Sequence, residues 1–197
     1  MGSYYYLAAQ LPYLVYGQGV PMSSSTFKAM ARDALSASDA AALEYCTLDP
    51  DPTSAATRGT SYAESAPKTP SAFLNLFREW ERTLRLNLAK NRAAKLKREG
   101  GATSDAPDYP ADAAATAKIA LGMESPLEAE IYLDKARWSA IESFQGISTF
   151  SENAIYAYLL KLMLMERRAA FKTEEGFSEY KALYATILGI EPQGDIK

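Results

Sequence analysis

Apolar positions in this chain recur at helical spacings, most densely between Ser125 and Leu188. Ser125-Pro126 predicts a helix start, because serine caps free N–H groups and proline loses nothing at the first helical position. Glu128 and Glu130 fall in the first turn, where the helix dipole favours negative charge. Leu127, Ile131, Trp138, Ile141 and Phe144 form one apolar stripe, and Gly146 reads as the C-terminal cap. Ser151 caps the next helix, predicted over Glu152 to Phe171. Its Ile155, Tyr158, Leu159, Leu162, Met163 and Met165 cover more than one face, which marks the core helix. Gly176 breaks the pattern. Phe177, Tyr180, Leu183, Tyr184, Ile187 and Leu188 then predict a last amphipathic helix, stopped by Gly189 and Pro192.

Upstream, Tyr4-Tyr5-Tyr6 favours a strand and Leu7-Ala8-Ala9-Gln10-Leu11 a helix. The reading here is a short helix ending near Pro12. A turn carries Gly17, Gly19 and Pro21. Ser23, Ser24 or Ser25 caps a helix through Phe27, Met30, Ala31 and Leu35; Ser38 with Asp39 caps another through Leu43 and Cys46. Residues 49–69 are Pro- and Ser-rich and read as an exposed loop. Thr69-Pro70 starts the longest helix, about 70–98, with a stripe of Phe73, Leu76, Phe77, Trp80, Leu84 and Leu88. Its length would be about 40 Å. A loop with Gly100-Gly101 and Pro107 follows, then an Ala-rich helix over 111–121 ending at Gly122. The fold class is therefore all-α: a helical bundle with one long helix and a three-helix C-terminal half. The expected organisation is a single domain over 1–197, with 1–48 readable as a small N-terminal lobe and 70–189 as the main helical body.

The run from Ala154 to Met165 is too short for a membrane span and contains Lys161, since a span needs roughly 20 apolar residues. The opening MGSYYYLAAQLPYL lacks a basic region and a long apolar core, so it is not read as a secretory signal. One cysteine, Cys46, cannot form an internal disulfide, and the expected compartment is the cytoplasm. Net charge is only −3, so bulk charge announces no nucleic-acid partner. The charge is unevenly spread. Residues 70–98 hold eight cations, Arg78, Arg82, Arg85, Lys90, Arg92, Lys95, Lys97 and Arg98, against Glu79 and Glu81. That helix carries +6 and the remainder −9. Its basic side reads as a solvated face bridged to nearby acids, or as a surface for an acidic protein partner.

The chain has no histidine. This removes Ser-His and Cys-His nucleophile pairs and nearly all zinc sites. Neither a cofactor nor a metal is expected. Glu128, Glu130 and Asp134 are the densest acidic cluster on a helix, and two carboxylates can serve acid–base chemistry. Such pairs also decorate ordinary helix starts. Three readings stand on the residues: a non-enzymatic helical protein, a helical enzyme using this carboxylate cluster, and an RNA-binding protein using the basic helix.

A resemblance separates them. The opening YYYLAAQLP, with SPLEAEIYLDKARWSAIE and YAYLLKLMLMERRAAFKTEEGFSEYKALY, resembles a bacterial helical family encoded among V-type ATP synthase subunits. That family looks like a counterpart of the C (or d) subunit, which links the rotor shaft to the membrane ring. The usual C subunit is longer and built from three similar helical units, more than this chain can hold. The resemblance implies a non-catalytic coupling subunit. Its partners would be other V-type ATP synthase subunits, the rotor shaft and the membrane ring, with no nucleic acid and no direct membrane insertion. Its place would be cytoplasmic, peripheral to the inner membrane. On that reading the eight cations of the long helix meet an acidic neighbour, and Tyr4, Tyr5 and Tyr6 supply interface anchors.

Overall fold

A computed structural model describes residues 3–48, 68–96 and 106–171, together with Tyr180, Leu183, Tyr184 and Ile187. The described residues are helical, with no strand. Helix α1 spans Ser3–Gln10, α2 Ser24–Ala34 and α3 Ala37–Ala42, the last running into a single 3-10 turn at Leu43–Tyr45. Helix α4 spans Ala72–Lys95, α5 Ala111–Leu121, α6 Pro126–Gln145 and α7 Glu152–Ala169.

Serine sets most of the helix starts. The side chains of Ser23, Ser36, Ser71, Ser125 and Ser151 accept bonds from the backbone N–H groups of Thr26, Asp39, Leu74, Glu128 and Ala154. Each satisfies one donor that the first turn leaves open. Two starts differ from the sequence reading. Ser36, not Ser38, caps α3, and Cys46 lies beyond the 3-10 turn. Ser71, not Thr69, caps α4. Thr69 instead donates its N–H and its hydroxyl to Asn75 Oδ1, at 2.7 and 3.0 Å. The expected bounds of α5 hold, and α6 ends at Gly146 as expected. The expected helix over 177–188 falls largely outside the described residues, and so does most of the expected loop over 49–69.

The helices enclose two apolar clusters that share α4. In the first, α7 lies among α1, α2, the 3-10 turn and the start of α4. Its members include Leu7, Phe27, Leu43, Phe73, Phe77, Ile141, Ile155 and Leu159. In the second, Trp80, Leu84 and Leu88 of α4 meet Ala113, Ala117 and Ala120 of α5 and Leu133 and Ala140 of α6. The small alanine face of α5 lets it lie close along α4, and that pairing is the most extensive in the fold. Each fully buried Leu or Phe contributes about 1.5–3 kcal/mol relative to exposure.

Helix α7 behaves as the core helix its pattern predicts: Ile155, Tyr156, Leu159, Leu160, Leu162 and Leu164 are all buried. The stripes of α4 and α6 are corrected in part. Leu76 is 54% exposed and Leu127 41%. In their place Glu81, Thr83 and Asn87 of α4, and Asp134 and Arg137 of α6, turn inward. No helix among the described residues is long and apolar enough to cross a membrane.

Candidate functional site

The carboxylate cluster is divided. Glu128 is exposed in the first turn of α6 and Glu130 is half-buried. Asp134 is 1% exposed and accepts from Arg137 Nη1 at 3.1 Å and from Arg167 Nη2. Arg137 in turn makes a two-bond fork to Glu81, Nε to Oε2 at 2.9 Å and Nη2 to Oε1 at 3.0 Å. Glu81 Oε1 also accepts from Arg85 Nε at 2.7 Å, and Arg85 Nη2 donates to the Leu48 carbonyl. Two carboxylates and three guanidiniums thus join α4, α6 and α7 between the two clusters. Planar guanidiniums suit such forks, which fix direction as well as distance. Two atoms in this network are buried without a hydrogen-bond partner: Asp134 Oδ2 and Arg167 Nε. The pattern of α6 hides Arg137 and Asp134, because an i, i+3 pair on a helix is usually a surface pair. The Glu81–Arg85 spacing of four was the visible half of the signal.

The basic residues of α4 differ in what they touch. Arg82 pairs with Glu79, its Nη2 2.9 Å from Oε1. Arg85 points into the network. Arg78 stacks over the Tyr45 ring at 5.9 Å. Lys90 is half-buried, and Arg92 and Lys95 are exposed. Lys97 and Arg98 lie outside the described residues.

The three tyrosines of α1 also divide. Tyr4 donates to Asp39 Oδ2 at 2.6 Å; burial and that carboxylate push its phenol well above the usual range. Tyr5 is 58% exposed and stacks on Phe150, ring centres 4.5 Å apart. Tyr6 is 73% exposed. Beside them a cleft of about 250 Å³ opens between the end of α1, the segment after it, and the α6–α7 hairpin. Leu11, Leu14 and Ile155 give it an apolar floor, while Tyr13, Thr149 and Lys161 supply polar atoms. Lys161 Nζ bonds Glu142 at 3.1 Å and lies over the Trp138 ring at 4.9 Å. Tyr158 anchors the loop across the cleft by donating to the Pro12 carbonyl at 3.0 Å, and burial pushes its phenol up to about 12.

Comparison with family models, with curated proteins and with solved structures finds no match. The site therefore rests on its own geometry. Among the described residues no group of three or more metal-ligating side chains comes together. The cleft thus combines an apolar floor, the exposed Tyr13 ring and one ion pair, Lys161 with Glu142.

Proposed function

We propose that this protein is a non-catalytic helical subunit that works by docking to other proteins, and that its host assembly is a V-type ATP synthase. The observation that carries the docking part is the exposed aromatic group at the α1 end, where Tyr13 lines the cleft and Tyr5 stacks on Phe150 of the α6–α7 connection. Rings of this kind are enriched at protein interfaces, because they bury large area at low entropic cost. The rival enzyme reading needs Glu128, Glu130 and Asp134 to converge on a pocket. Asp134 is instead enclosed by two guanidiniums, which removes support from that reading. The rotary-ATPase assignment rests on the resemblance of the opening and closing segments. The buried ion network, tying α4, α6 and α7 together, suits a part that must hold its shape while passing force between neighbours.

The test is a tagged pull-down from membranes of the native host in mild detergent, read by mass spectrometry. Recovery of rotary ATPase subunits in matching amounts supports the assignment. Recovery of the protein alone, running as a free monomer, sinks it.

A further inference from the structure

The aromatic end carries a charge sign as well as an apolar cleft. Glu142 lines the cleft with its side chain 54% exposed. Glu152 is exposed two residues after Phe150, the ring on which Tyr5 stacks. Asp39 lies close by, bound to the Tyr4 hydroxyl; both Asp39 and Glu152 raise the Tyr4 phenol electrostatically. Among the cleft-lining residues the cation is Lys161, already paired with Glu142. These four charges sum to −2. Around them Tyr13 and Ile147 stand almost wholly in water, at 90% and 101% exposure. Isolated apolar side chains at a surface need no explanation. Tyr13 lines the cleft, and Ile147 lies in the chain between Gln145 and Thr149, which also line it, so both exposed side chains border a surface that a partner would cover.

We propose that this end is the seat for a cationic amphipathic helix of a partner protein. It would place an apolar side chain in the cleft and basic residues against Glu152, the exposed acid that no cation of the cleft neutralises. The inference rests on the docking reading above and specifies its partner chemistry. A helix is the fitting occupant because the described residues form no sheet, so an incoming strand has no edge to extend. An apolar groove in a helical bundle takes a helix through anchors three, four and seven residues apart. Complementary charge then sets the orientation and speeds the encounter.

The probe is a fluorescent 18-residue helix of Leu and Lys, with its Leu and Glu counterpart as control, titrated against the full chain by anisotropy. The Lys helix is expected to bind and the Glu helix to fail. Ile147→Ser with Tyr13→Ser removes only exposed side chains and should weaken the Lys helix by about tenfold. Glu152→Gln should weaken it several-fold and flatten its salt dependence. Circular dichroism confirms that each variant keeps its helix content. Equal binding of both helices, or wild-type affinity in the Ile147/Tyr13 variant, overturns the proposal. So does a self-associated protein that Ile147→Ser dissociates, since the occupant is then a second copy. The peptide result is independent of the pull-down: binding without ATPase subunits would keep this seat and discard the host assembly.

Discussion

Arg137 and Glu81 face each other across 56 residues of sequence through two parallel hydrogen bonds, with the Arg137 side chain only 5% exposed. A buried pair of this kind adds little over an apolar pair, yet breaking it leaves an uncompensated charge. Arg137→Met alone should therefore cost about 3–5 kcal/mol in urea unfolding. Glu81→Leu combined with Arg137→Met should recover a large part of that loss. A double mutant as unstable as the sum of the two single changes would show that the pair is not coupled.

The stripe of α4 invites a direct comparison. Leu84 is fully buried in the second cluster, whereas Leu76 is 54% exposed. Leu84→Ala should destabilise by about 2–5 kcal/mol. Leu76→Ala should stay within about 0.5 kcal/mol. Chemical denaturation of the two variants side by side decides it; equal losses would mean that Leu76 is covered.

How much of this could be read from the sequence follows from where the rule is local. Helix caps and apolar spacing act within four residues, so α5 and α7 were legible almost to the residue. Leu76 and Leu127 satisfy the same spacing and yet face water, because the neighbouring helices cover a different strip. Arg137 looks like a surface cation until Glu81, far away in sequence, is placed against it. The cleft was not legible for the same reason: Leu11, Tyr13, Glu142 and Ile155 come from three separate segments. Tyr4, Tyr5 and Tyr6 were singled out together, but helical rotation sends Tyr4 toward Asp39 and leaves the other two exposed.

Gly146 offers a test of backbone geometry alone. Its φ is 76° and ψ −169°, a region that residues with a Cβ rarely adopt, and a Cβ placed there would meet nothing within 4 Å. Gly146→Ala should cost about 1–3 kcal/mol through strain. Gly19 has equally open surroundings without a positive φ. Gly19→Ala should be neutral or stabilising by about 0.4–1 kcal/mol. Thermal melts of the two variants should shift in different directions or by different amounts; matching downward shifts would contradict the backbone argument.

Cys46 links stability to alkaline pH. Burial pushes its thiol up to about 12, above the ordinary value of about 8.5 for an unfolded chain. The folded state holds that proton more tightly than the unfolded one. Its contribution is therefore complete below about pH 8.5 and is lost as pH rises toward 12. The Tyr158 phenol adds a loss of the same sign above about pH 10. The urea midpoint should fall between pH 8.5 and 11, and Cys46→Ala should remove the earlier part of that fall. A midpoint independent of pH over that range would contradict the burial of both groups. In the native protein at pH 8, a thiol reagent should label Cys46 only after denaturant is added.

Because α4 lends Phe73 and Phe77 to one apolar cluster and Trp80, Leu84 and Leu88 to the other, the two clusters are joined through one helix. Loosening either end pulls on the same rod. Amide protons along α4 should accordingly exchange with solvent as one cooperative block, at a rate set by loss of the whole structure rather than of one half. The chain would then have a single melting event, and a load applied at the cleft would pass to α5 through α4.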